Sequence, residues 1–139
     1  MKRIMGIDYG DARTGIAVSD PMGWTAQGVS TINERNNPEK VAEKVLDFIS
    51  EYKPSEIVIG LPKNMDGTEG VRAELCREFA ARIGEVTGLP VTMWDERRTT
   101  VEAHNILSQH NYHGKKRKNT VDAVAASLIL EGYLAFRKR

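Results

Sequence analysis

Arg3-Ile4-Met5-Gly6-Ile7-Asp8-Tyr9 is followed at once by Gly10-Asp11-Ala12-Arg13-Thr14-Gly15. The first stretch reads as a strand entering a core and the second as a turn, because glycine tolerates positive φ and Asp supports tight turns. Residues 16–20 read as a second strand and residues 24–33 as a third. The opening of the chain therefore predicts a three-stranded antiparallel meander.

Beyond it the hydrophobic period changes. Asn37-Pro38 is a helix N-cap followed by proline at the first helical position. Val41, Val45, Phe48, Ile49 and Tyr52 recur at helical spacing and predict an amphipathic helix over 38–52. Residues 55–61 read as a short buried strand stopped by Pro62, and a polar loop, Lys63-Asn64-Met65-Asp66-Gly67, follows. Val71, Leu75, Phe79 and Ile83 mark a second helix ending near Gly84 or Gly88, and residues 90–95 form another strand. Two more helices are expected, over 99–109 and about 119–136, with a polar and mobile segment over 108–118. Strand meander first, then alternating β and α, implies an α/β fold with a mixed sheet flanked by helices. No repeat or linker appears, so residues 1–139 are expected to form one domain.

Composition narrows the class. With 40% hydrophobic and 28% charged residues the chain has ordinary globular values. No apolar run approaches the ~18 residues of a membrane span, and no secretory signal is recognisable. The single cysteine, Cys76, cannot form an internal disulfide and suits a reducing cytoplasm. The net charge of +1 is unevenly spread. Residues 115–139 hold seven Lys/Arg and two acids, which makes them +5 and the preceding 114 residues −4. A basic end of this kind is either a solvated tail or the footprint of a polyanion such as nucleic acid.

Three acidic positions stand apart from the surface acids. Asp8 ends an apolar strand; Asp95 and Glu96 end the last strand; Asp122 sits in the first turn of the apolar final helix, sharing a face with Ala126 and Ile129. Each has a structural role open to it: Asp8 as a cap of the Gly10 turn, Asp95 or Glu96 as partners of Arg97 or Arg98, Asp122 as a charge at a helix N-terminus. Strand ends and a helix start can also converge on one rim of a mixed sheet. Two like charges about 5 Å apart at an effective dielectric of about 20 repel by roughly 3 kcal/mol. Divalent ions relieve that cost, and an all-oxygen set suits Mg²⁺ or Mn²⁺. Two ions about 4 Å apart would clamp the attacking and leaving oxygens of a phosphodiester, so metal-assisted hydrolysis is the chemistry expected.

Four blocks of sequence carry a resemblance. They are Asp8-Tyr9-Gly10 with Gly15-Ile16-Ala17-Val18-Ser19-Asp20; Gly60-Leu61-Pro62-Lys63-Asn64-Met65-Asp66-Gly67; Asp95-Glu96-Arg97 with Thr99-Thr100; and Asp122 with Ala125-Ala126. In this order they resemble the YqgF/RuvX family, small proteins of RNase H-like fold related to the RuvC Holliday-junction resolvase. The resemblance implies a catalytic and metal-binding set of Asp8, Glu96 and Asp122, and trimming of the 5′ end of precursor 16S ribosomal RNA. Junction resolution on branched DNA is the competing implied activity. Of the adjacent acids Glu96 is preferred over Asp95, because its side chain is longer and Asp95 faces the other way by strand alternation. Arg98 departs from the apolar residue expected after Asp-Glu-Arg and leaves the packing of the next helix open.

Substrate contacts are expected from Lys63 and Asn64, which follow a strand end, and from Arg97, Lys115, Lys116, Arg117 and Lys118 as backbone contacts. His104, His110 and His113 match no standard metal spacing and read as solvated loop residues. Two rival functions remain. Asp8-x-Gly10 with Gly15 resembles the phosphate hairpin of actin-like and sugar-kinase ATPases, but those close two lobes and this chain supplies one. A non-catalytic nucleic-acid-binding module is the other. The expected partner is structured RNA, with branched DNA as the alternative, and the chain is expected to be a monomer or a homodimer.

Overall fold

The first strand is the middle of the sheet. In the computed structural model, residues 3–96 and 114–137 are described, without the side chains of 114–120. Strands β1 (Ile4–Asp8), β2 (Arg13–Ser19) and β3 (Ala26–Asn33) form the antiparallel meander. Helix α1 (Pro38–Tyr52) leads to β4 (Glu56–Leu61), and α2 (Val71–Thr87) leads to β5 (Val91–Asp95). Helix α3 (Gly114–Arg137) closes the described chain. The sheet order is β3-β2-β1-β4-β5, with β4 parallel to both β1 and β5. This is the mixed sheet flanked by helices that the alternation of hydrophobic periods predicts.

Local chemistry sets the boundaries. The Asn37 side chain accepts from the Lys40 N–H at 3.2 Å, with Pro38 opening α1. Helix α2 stops at Gly88, which adopts φ +70° and donates to the Gly84 carbonyl. Two expected boundaries shift. Strand β2 begins at Arg13 rather than residue 16, because Arg13, Thr14 and Gly15 pair with Asn33, Ile32 and Thr31 of β3. Helix α3 begins at Gly114 rather than 119, so Lys115, Lys116, Arg117 and Lys118 are helical and not part of a loop. Straight-chain Lys and Arg are good helix formers, and polarity alone hid them. Asp122 therefore lies two turns inside α3, and a macrodipole role at its N-terminus falls away. The helix expected over 99–109, Arg98 and the three histidines lie outside the described residues.

The pleat divides the sheet residues between two layers. Met5, Ile7, Ile16, Val18, Ile57 and Ile59 face α1 and α2 and meet Val41, Val45, Phe79 and Ile83 in the larger core. Ile4, Ala17 and Val58 face α3 and meet Ala126, Ile129 and Leu130. Small residues let α3 lie against this second face. A Cβ on Gly15 would fall 1.9 Å from the backbone oxygen of Asp122, so only glycine there admits the helix backbone. Gly6 and Gly28 play the same part on β1 and β3, beneath Ala126 and Ala123.

Candidate active site

Asp8 is the last residue of β1 and, in phase with Ile4 and Gly6, points to the α3 face. Glu96 follows β5 directly, and its N–H donates to the Leu61 carbonyl at 3.2 Å, extending the β4–β5 pairing by one bond. Its side chain folds over Gly60. A Cβ on Gly60 would sit 2.1 Å from Glu96 Oε2 and 2.6 Å from Ile129 Cδ1, so the bare glycine makes the room that Glu96 fills. There the Glu96 and Asp8 carboxyls hydrogen-bond to each other. Asp122 comes from the opposite layer. Its backbone rests on Gly15, the residue paired with Asp8 across β1 and β2.

The electrostatics follow from this crowding. Burial, then the neighbouring Asp122 charge, raises Asp8 from 3.8 to about 6, against the opposing pull of Arg72 and the Glu96 hydrogen bond. Burial, then the charge and hydrogen bond of Asp8, raises Glu96 from 4.5 to about 8. Near neutral pH the pair thus holds one proton, with Glu96 donating to ionised Asp8. Asp95 is in register with Leu61, which faces the other layer, and adds only a minor charge effect at Glu96.

Two arginines that sequence reasoning left unassigned complete the surroundings. Arg13 Nε donates to Asp122 Oδ2 at 2.9 Å, across 109 residues of chain. Arg72, at the start of α2, donates to Asp11 Oδ1 at 2.5 Å and to the Tyr9 carbonyl at 2.6 Å. Its guanidinium lies 5.4 Å from the centre of the Tyr9 ring, which stacks on Phe79 at 4.1 Å. Arg13 shares strand parity with Gly15 and could have been placed on the α3 face had β2 been started at residue 13. Nothing local marks Arg72.

The other expected residues are more scattered. Lys63 and Asn64 lie just past the end of β4, on the rim where β1 also ends. Asn64 Nδ2 donates to Thr68 Oγ1 at 2.9 Å and so helps hold its own loop. Lys115, Lys116, Arg117 and Lys118 share α3 with Asp122, and Lys118 sits one turn before it. Arg97 lies outside the described residues. Among the described residues no three His, Cys, Asp or Glu side chains form a ready ligand group: Asp8 and Glu96 are bonded to each other while Asp122 is held by Arg13. No helix of the described residues is long and apolar enough to cross a membrane.

Comparison with known proteins places the chain. A relative from Ruminiclostridium cellulolyticum, named "putative pre-16S rRNA nuclease", is 46% identical over 132 residues, spanning 95% of this chain and 93% of the relative. One of the same name from Halothermothrix orenii is 47% identical over 137 residues, spanning 99% and 97%. Among solved structures, the yeast mitochondrial Holliday junction resolvase superposes with a TM-score of 0.57 at 12% identity, over 99% of this chain and 79% of that one. RuvC of Thermus thermophilus in complex with a Holliday junction substrate gives 0.56 at 13% identity, over 99% and 96%. At such identities the likeness speaks for the RNase H-like fold alone. The family described as "RuvX: Holliday junction resolvase" matches residues 2–136, and the chain belongs to that family.

Proposed function

We infer that this chain is a metal-dependent nuclease that hydrolyses phosphodiester bonds at the rim formed by Asp8, Glu96 and Asp122. The carrying observation is the buried, hydrogen-bonded Asp8–Glu96 pair, with the Asp122 charge acting on Asp8. Two carboxylates that share one proton carry a mutual cost that a cation would relieve, and that cost supports the reading. The three side chains all offer oxygen, the donor chemistry of Mg²⁺ or Mn²⁺, and would have to draw together to form a ligand group. A bound ion, or a pair of them, would supply charge neutralisation at the phosphate and a more acidic attacking water.

The chain's own residues would divide the remaining work. Asp8, Glu96 and Asp122 would hold the ion, Asp8 and Glu96 without the proton they share and Asp122 in place of its bond to Arg13. Arg72 fixes the β1–β2 turn through Asp11 and the Tyr9 carbonyl and so keeps Asp8 in place. Lys63, Asn64, Arg97, Lys115, Lys116, Arg117 and Lys118 bind the backbone of the substrate as sequence-independent contacts. Asp95 is the lesser ligand candidate, because its register turns it to the other layer.

Precursor 16S ribosomal RNA, cut at its 5′ end in the cytoplasm, is the substrate favoured by the names of the full-length relatives. The description of the family favours a second reading, resolution of branched DNA. One experiment separates them: cleavage of a short precursor-16S 5′ fragment beside a four-way DNA junction, with Mg²⁺ or Mn²⁺ and with EDTA. Metal-dependent cutting that Asp8→Asn abolishes is expected, with the RNA preferred. Binding without cutting of either substrate would refute the nuclease and leave a non-catalytic binding module.

A further inference from the structure

The two guanidinium groups beside the carboxylates are engaged very differently. Both terminal nitrogens of Arg72 are engaged, by Asp11, by the Tyr9 carbonyl and by Cys76 Sγ, and its guanidinium lies over the Tyr9 ring. Arg13 gives a single hydrogen bond, from Nε to Asp122, and its terminal nitrogens have no hydrogen-bond partner among the described residues. Its side chain is 36% exposed, against 20% for Asp122. An open guanidinium fork is the group best matched to two phosphate oxygens. Its position is also suitable. Arg13 lies two residues along β2 from Gly15, the partner of Asp8, which is about 7 Å and within the reach of its side chain.

The geometry points to Arg13 as a phosphate-binding residue of this site, held by Asp122 until an ion claims that carboxylate. The inference rests on the reading of Asp122 as an ion ligand. A bound ion would compete with Arg13 Nε for the same Asp122 oxygen, and its arrival would release the side chain so that the open fork could turn to the phosphate. The plain alternative is an ion pair that only ties β2 to α3, and a partly exposed pair contributes little to stability. The two accounts differ for junction binding in Mn²⁺, which only the loss of a phosphate contact would weaken.

The test measures Mn²⁺ binding by calorimetry without nucleic acid, then binding of a labelled four-way DNA junction by anisotropy with and without Mn²⁺. Wild type, Arg13→Ala and Arg13→Lys are compared, with thermal melting as the check on folding. Arg13→Ala is expected to bind Mn²⁺ about two- to fivefold more tightly, having lost one competitor for Asp122. In Mn²⁺ it should bind the junction about tenfold more weakly, and Arg13→Lys should recover part of that loss. Mn²⁺ affinity unchanged or lowered in Arg13→Ala overturns the inference, as does unchanged junction binding in Mn²⁺. If wild type binds Mn²⁺ and cuts nucleic acid while Arg13→Ala matches it, only the role of Arg13 falls. If wild type does not bind Mn²⁺, the metal-dependent reading falls with it.

Discussion

Replacing Glu96 with glutamine should stabilise the metal-free protein at alkaline pH and leave it unchanged in acid. The amide keeps the shape of a protonated carboxyl and can still donate to Asp8, but it never acquires charge. Glu96 moves from 4.5 to about 8 on folding. A folded-state value raised above the unfolded one means that stability is complete below pH 4.5, falls as pH rises and levels off above 8. At about 1.4 kcal/mol per unit the whole span is worth about 5 kcal/mol. Water entry and relaxation around the ionised pair reduce that figure. About 3 kcal/mol is therefore the share that Glu96→Gln should recover at pH 8.5. For a chain of this size that corresponds to a melting temperature higher by about 10 °C. The assay is thermal melting of wild type and Glu96→Gln in EDTA at pH 4.5 and 8.5. A variant equally destabilised at both values, or less stable than wild type at pH 8.5, would show that the carboxyl pair carries no charge cost, and the argument for a cation site would fail.

Two further outcomes follow from the packing and from the charge distribution. Gly15→Ala sets a methyl carbon against the Asp122 carbonyl, where neither side is a flexible chain end, so α3 must lift; urea denaturation should show a loss of about 3 kcal/mol or more, and a loss under about 1 kcal/mol would mean the helix is not seated as described. Changing Lys115, Lys116, Arg117 and Lys118 together to Ala should lower the slope of log affinity against log salt by about 3, since each phosphate contact releases counterions; an unchanged slope would remove this segment from the interface.

Much of the fold was legible because its signals are local. Alternating and helical periods name the strands and helices over most of the described chain, and Asn37-Pro38 and Gly88 mark helix ends by chemistry confined to one turn. At the start of α3 the local signal is ambiguous. Lys115 to Lys118 looked like a loop because they are polar, although the same side chains favour a helix, and that displaced Asp122 from the third turn of α3 to an imagined first. Strand alternation was enough to send Asp95 and Glu96 to opposite faces, and the register bears this out for Asp95 through its pairing with Leu61.

What the sequence by itself determined was therefore the kinds of element, their order and which acids were out of place on a surface. Only the tertiary structure decided what those acids meet. The Asp8–Glu96 hydrogen bond, the Arg13–Asp122 pair and the Arg72 clamp join residues between 61 and 109 positions apart, and no period or cap reports on such distances. The glycines show the same division. In sequence Gly15 and Gly60 read as turn residue and strand residue; in the fold they are the two places where a Cβ would collide with Asp122 and Glu96. Side chains are chosen by neighbours in space, and the approach of α3 to the sheet, which sets those neighbours, is fixed by packing across the whole layer rather than by any one segment.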